Sequence, residues 1–150
     1  MLDLTSLKKS YGSLVRTTRV FSENKEKNGQ FDPDLIEALR AGVIQNFEFC
    51  YELSWKMMKR WLENNLSPTE VDGVPRRELF RIAAENRLID DVNAWMDFHR
   101  GRNISSHTYD EVTAETVSEL ALEFIPFVAD LIEALEKRNL FLQHRCLSLS

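Results

Sequence analysis

Leu4, Leu7, Tyr11, Leu14, Thr18 and Phe21 recur at spacings of three and four, which places them on one face of a helix. The pattern predicts a first helix that fades near Asn28-Gly29. Asp32-Pro33 then offers a cap followed by proline at the first helical position, where its missing N–H is no loss. From there Ile36, Leu39, Val43, Phe47, Tyr51, Trp55, Met58 and Leu62 form one stripe about eight turns long, with Gly42 as its only breaker. Phe47, Tyr51 and Trp55 therefore read as core. Asn64 to Gly73 holds Pro68 and Gly73 among polar residues and reads as a connection between two layers. Pro75 can open the next helix, and Glu78 to Arg87 is a short amphipathic piece that stops before Leu88-Ile89. Asp90 or Asp91 can cap a further helix carrying Val92, Trp95, Met96 and His99, which Gly101 weakens near its end.

A polar stretch follows, RNISSHTY from Arg102 to Tyr109. Thr108-Tyr109-Asp110-Glu111 has the form of a capping box, so the last long helix is expected to begin there. That helix carries two apolar rows: Val117, Leu120, Phe124, Phe127 and Leu131, and Ala121, Ile125, Val128, Ile132 and Leu135. So wide a stripe calls for burial on two sides, against its own bundle and against either a second copy of the chain or another helix of the same bundle. Pro126 is expected to kink it. No period-two alternation, hairpin signal or internal repeat occurs. The expected architecture is all-α, an antiparallel bundle of four to five helices in a single domain over 1–150. The tail from Leu140, with Phe141, Leu142, Leu147 and Leu149, either extends the last helix or docks on a partner.

Composition narrows the function classes. With 150 residues, 43% of them hydrophobic, the chain can bury one core. A net charge of −5 argues against a surface that grips nucleic acid throughout, so no DNA binding is expected and any RNA contact must be local. Pro75 to His107 nevertheless holds six arginines against five acidic residues, a local excess that suits a phosphate ester or a solvated face of mixed charge. Cys50 and Cys146 lie far apart, and no basic-then-apolar leader precedes the first helix. A cytoplasmic protein without disulfides or membrane contact is expected, with Cys50 a small core residue.

Enzyme motifs are mostly missing: there is no Gly-rich phosphate loop, HExxH or Cys-x-x-Cys, so neither a metal nor a cofactor is expected. Gly12-Ser13 and Asp32-Pro33-Asp34 imitate a nucleotidyltransferase signature, but in helical territory, where the aspartates cannot share a strand. Of the three histidines, at 99, 107 and 144, His107 has the richest company: Arg102, Asn103, Ser105, Ser106 and Tyr109. Five residues on an unbroken helix correspond to about 140° around the axis. Arg102 and His107 can share a target only if the helix ends between them. With a turn there, a guanidinium that stabilises negative charge and an imidazole that moves a proton can converge on one phosphate. Taken alone, the Arg-x4-His spacing reads as structural. Arg76, Arg77 and Arg100 are candidate RNA contacts, or partners for acids on a neighbouring helix. Glu48 and Glu52, one turn apart, and Ser106 can reach the same cleft, or belong to a solvated face.

FEFCYELSWKMMKRWLE (Phe47 to Glu63), the Pro75-led helix through Arg87-Leu88-Ile89-Asp90-Asp91, Trp95, and RNISSHTY followed by Asp110 together resemble the HEPN superfamily. Within it, they resemble the subgroup of nucleotidyltransferase substrate-binding proteins and HepT-like toxins, whose Arg-x4-His-x-Tyr signature is matched in full. The resemblance runs to about Leu135 and leaves the 140–150 tail outside. It implies a small helical homodimer with two motifs facing a cleft at the two-fold axis. It also implies a minimal nucleotidyltransferase as partner, RNA or a nucleotide as ligand, and in many members metal-independent endoribonuclease activity. By the same resemblance Arg102, Asn103 and His107 are catalytic, and Tyr109 is the site at which the partner adds adenylate. The older view of the family makes the helical protein a nucleotide-binding or substrate-recruiting subunit.

Overall fold

The computed structural model describes residues 1–26 and 32–149. Its helices are α1 (Thr5–Lys25), α2 (Pro33–Asn65), the single turn α3 (Pro68–Val71), α4 (Arg76–Glu85), α5 (Val92–Ile104) and α6 (Glu111–Ser148), with a 3₁₀ turn at Ser105–His107. The bundle is all-α, and no strand occurs among the described residues. The end expected for α1 at Asn28-Gly29 lies outside them.

Local sequence accounts for most helix boundaries. Asp32 Oδ1 accepts from the Asp34 amide at 2.9 Å with Pro33 in the first turn, and Asp91 Oδ1 accepts from Ala94 N at 3.0 Å. Pro75 is itself the residue flanking α4, which starts at Arg76. At the other end of α4, Arg87 adopts φ 60°, and the amides of Arg87 and Leu88 bond to Ala84 O and Ala83 O. This is a Schellman-type ending made without glycine. Buried Leu88 and Ile89 anchor it to the core.

The expected capping box at Thr108 and Glu111 is not formed. Asp110 is the flanking residue of α6, and its carboxylate accepts from Thr113 Oγ1 at 2.8 Å rather than from a backbone amide. The reason is conformational: Thr108 closes the 3₁₀ turn at φ −77°, ψ 4°, whereas a cap must be extended, as Asp110 is. The helix runs on through Pro126 to Ser148. The tail thus continues α6 as an exposed helical extension.

The apolar stripes converge on one core. Leu7, Leu14 and Phe21 of α1, Val43, Phe47, Tyr51 and Leu62 of α2, and Val117, Phe124, Leu131 and Leu135 of α6 are all buried. Both rows of α6 are largely absorbed by this chain's own α1, α2 and α5, so its wide stripe is met by the bundle itself. Helix α1 lies antiparallel to α2 and α6: Thr17 meets Gly42 and Asn46, Lys8 pairs with Glu136, and Asn139 bonds the backbone of Leu2. Helix α5 is antiparallel to α6, bringing Trp95 and Phe98 onto Phe124. At Gly101 the two helices touch so closely that a Cβ would sit 2.1 Å from Leu120 Cδ2. The polar stretch begins at the next residue, Arg102. Among the described residues, no helix is long and apolar enough to cross a membrane.

Candidate functional site

Arg102 occupies the last turn of α5, and the helix gives way to the 3₁₀ turn three residues later, at Ser105, between Arg102 and His107. Its guanidinium lies between two carboxylates of α2: Nη1 is 3.2 Å from Glu48 Oε2 and Nε is 3.3 Å from Glu52 Oε1. Nη1 also donates to Ser105 Oγ at 3.2 Å, and Ser105 bonds back to Arg102 O. Each ion pair is about a third exposed, so each contributes only about 0.2–1 kcal/mol. Their effect is geometric, because the guanidinium is held in place rather than left to sample solvent.

Beyond Arg102 the site continues through residues that the sequence had marked as core or as loose cleft candidates. Glu52 Oε2 accepts from Trp55 Nε1 at 3.0 Å, and the Arg76 guanidinium stacks 3.5 Å above the Trp55 ring. Arg76 Nη1 donates to Tyr51 Oη at 3.2 Å, and Tyr51 Oη lies 2.7 Å from His99 Nδ1. Asn103 Nδ2 lies 3.4 Å from His99 Nε2. Burial pushes the Tyr51 hydroxyl up to about 12, with Arg76 pulling the other way. Burial, followed by the charge of Arg76, lowers the His99 imidazole below its ordinary value and so favours its neutral form.

His107 and Tyr109 stand apart from this network, on the 3₁₀ turn and just past it. Their rings meet edge-on with centroids 6.1 Å apart, and Tyr109 is 87% exposed. Ser106 is exposed, with a long 3.5 Å bond to Asn103 O. Arg100 is engaged with Asp97, and Arg77 reaches Asn93 Oδ1 at 3.4 Å, both on the exposed surface. The structure therefore gathers Arg102, Asn103, Glu48, Glu52 and Arg76, presents His107 and Tyr109 beside them in the chain, and leaves Arg77 and Arg100 in local pairs. Among the described residues no three His, Cys, Asp or Glu side chains are placed to hold a metal ion.

Three members of the network were missed as site residues: Tyr51, Trp55 and His99. Tyr51 and Trp55 fit the apolar stripe of α2, and nothing in that stripe reveals that their polar ends are used. His99 lies one turn before Asn103, and that i, i+4 spacing was the available signal.

A helical bundle that carries an Arg-x4-His-x-Tyr turn between its last two long helices is of the HEPN class. Residues 2–137 match the family described as "nucleotidyltransferase substrate binding protein like", and the chain belongs to it. A Haemophilus influenzae protein named "Probable ribonuclease HepT" is 35% identical over 140 residues, 92% of this chain and 94% of the relative. A solved H. influenzae structure, described as revealing the fold of a substrate-binding domain of a nucleotidyltransferase, is 33% identical. It superimposes with a TM-score of 0.83, covering 89% of this chain and 99% of that one. A crystal structure from Thermus thermophilus, with TM-score 0.59, 19% identity, and coverage of 81% and 98%, shares the fold. The chain accordingly has a role associated with nucleotidyltransferases.

Proposed function

We propose that this protein is the ribonuclease toxin of a HEPN and minimal-nucleotidyltransferase pair, acting as a homodimer on RNA without a metal. The observation that carries the reading is the division at the end of α5: Arg102 is clamped by Glu48 and Glu52, while His107 and Tyr109 are exposed on the turn that follows. An RNA 2′-hydroxyl attacks the adjacent phosphorus, forming the P–O2′ bond and breaking P–O5′. One proton leaves the 2′-oxygen and one reaches the departing 5′-oxygen. His107 serves one transfer, and the His107 of a second copy, across a two-fold axis, serves the other. Arg102 and Asn103 stabilise charge on the phosphorane oxygens.

Tyr109 is the point of control. Its hydroxyl attacks the α-phosphorus of ATP on the partner enzyme, pyrophosphate leaves, and the resulting adenylate places a charged group two residues from His107. The high exposure of Tyr109 supports its access to another enzyme. The name of the H. influenzae relative supports ribonuclease activity.

Purified protein incubated with a test RNA in chelator is expected to cleave it, and His107→Ala to abolish cleavage with the helical fold intact. Undiminished cleavage by that variant would overturn the assignment. The second reading is a nucleotide-holding subunit that cuts nothing. It is favoured by the two carboxylates already on Arg102, by the net charge of −5 and by the family description. It predicts nucleotide binding lost on Arg102→Ala, and no RNA cleavage by the parent protein.

A further inference from the structure

The polar contacts at the end of α5 close into a ring. From Arg102 they run to Glu52, Trp55, Arg76, Tyr51, His99 and Asn103, and Asn103 is joined to Arg102 by a peptide bond. The ring draws on α2, α4 and α5, and it contains a histidine outside the motif.

Hydrogen counting around the ring assigns direction. Arg76 can only donate, so it occupies a lone pair of Tyr51 Oη. The Tyr51 hydrogen then needs an acceptor, because a buried hydroxyl without one costs about 1–3 kcal/mol. His99 Nδ1, 2.7 Å away, is that acceptor. A neutral imidazole that accepts at Nδ1 carries its proton at Nε2, the atom facing the Asn103 amide. Two N–H donors cannot be bonded to each other, so the Asn103 amide, placed with Nδ2 3.4 Å from Nε2, is turned over: its oxygen accepts from Nε2–H and its NH2 group points away from the ring.

We propose that His99 is a positioning residue, fixed as the Nε2–H tautomer by Arg76 and Tyr51, which orients the Asn103 amide so that its NH2 group faces the substrate phosphate. The tautomer assignment stands on the Arg76–Tyr51–His99 contacts. Its use on phosphate rests on the ribonuclease reading above. His99 touches no reacting atom, and Asn103 contributes one donor aimed where an anionic oxygen develops. Arg102 and Asn103 are thus set by opposite ends of one ring.

The test has two readouts. Long-range proton–nitrogen NMR of the histidine rings in full-length protein near pH 7 is expected to show His99 as Nε2–H, and Tyr51→Phe to weaken that preference. A parent spectrum with the proton on Nδ1 overturns the proposal, whatever the protein does to RNA. In the cleavage assay His99→Ala is expected to lower kcat about tenfold with KM little changed, since a misdirected donor loses part of its stabilisation of the developing charge. His99→Gln, whose amide N–H reaches the Nε2 position, is expected to recover most of that loss, with both variants checked by circular dichroism. Equal rates for parent and alanine variant, or equal losses for alanine and glutamine, overturn it. Failure of the parent to cleave RNA would sink the ribonuclease reading, while the NMR result still decides the tautomer and the ring.

Discussion

Phe124→Ala tests whether the aromatic cluster beneath the site supports both the fold and the ring above it. Phe124 is fully buried, and its ring meets Phe47 at 5.3 Å and 90°, Trp95 at 5.4 Å and 85°, and Phe98 at 4.9 Å and 63°. Truncating a buried phenylalanine costs about 3–5 kcal/mol through lost transfer energy and the cavity left behind. Edge-on ring contacts of this kind are worth about 0.5–1.5 kcal/mol beyond area. With three of them lost at once, the expected cost is near the upper half of that range, about 4 kcal/mol. At a urea slope of about 2 kcal/mol/M this moves the unfolding midpoint down by about 2 M. For a chain of this size it lowers Tm by about 8–16 °C. The assay is urea denaturation followed by circular dichroism, with protein concentration fixed so that association does not shift the midpoint. Phe124→Leu keeps most of the volume and is expected to cost about 1.5 kcal/mol, which keeps the comparison measurable if the alanine variant is poorly folded. An alanine variant within about 1 kcal/mol of the parent, the range of an average substitution, would show that the cluster is not the mechanical centre of the bundle.

Two further outcomes follow from particular residues. Arg87→Gly is expected to stabilise the protein by about 1 kcal/mol, because φ 60° strains a side-chain-bearing residue and suits glycine, and a drop in Tm would refute this. Stability is expected to fall above about pH 9: burial raises Cys50 from its ordinary 9.0 to about 11 and Tyr51 from 10.0 to about 12, so the unfolded chain loses these protons first. The loss by about pH 10.5 is on the order of 2 kcal/mol, Cys50→Ala should shrink it, and equal unfolding free energies at about pH 8 and 10.5 would contradict the assignment.

The helices were legible because their information is local. Leu7, Leu14, Thr18 and Phe21 on α1 and Val43 to Leu62 on α2 mark buried faces by spacing alone, and Asp32-Pro33 and Asp91 mark starts. The break between Arg102 and His107 was what angular geometry demanded for the two side chains to share a target, and α5 does end at Ile104. Thr108 misled because a hydroxyl three residues before an acidic side chain has the letters of a cap, whereas the backbone conformation that makes a cap is set by the preceding 3₁₀ turn. The polar ring was illegible for a different reason. Arg76 meets Tyr51 across 25 residues and Tyr51 meets His99 across 48, and pairings of that range depend on how helices dock. Trp55 shows the limit most clearly: its spacing says core, its ring is half-buried under a guanidinium, and its N–H holds a carboxylate.

The glycine before the arginine has a meaning that the polar letters do not carry. Helices α5 and α6 meet at Gly101 with only the Leu120 side chain between them, so the residue without functional groups bears on the height at which its neighbours are displayed. A chain with every polar residue of RNISSHTY and a bulky residue at that position would hold the right chemistry at the wrong address. Recognition of such sites in other sequences should therefore weigh GRNISSHTY as one unit, with its first letter a statement about distance rather than about reactivity.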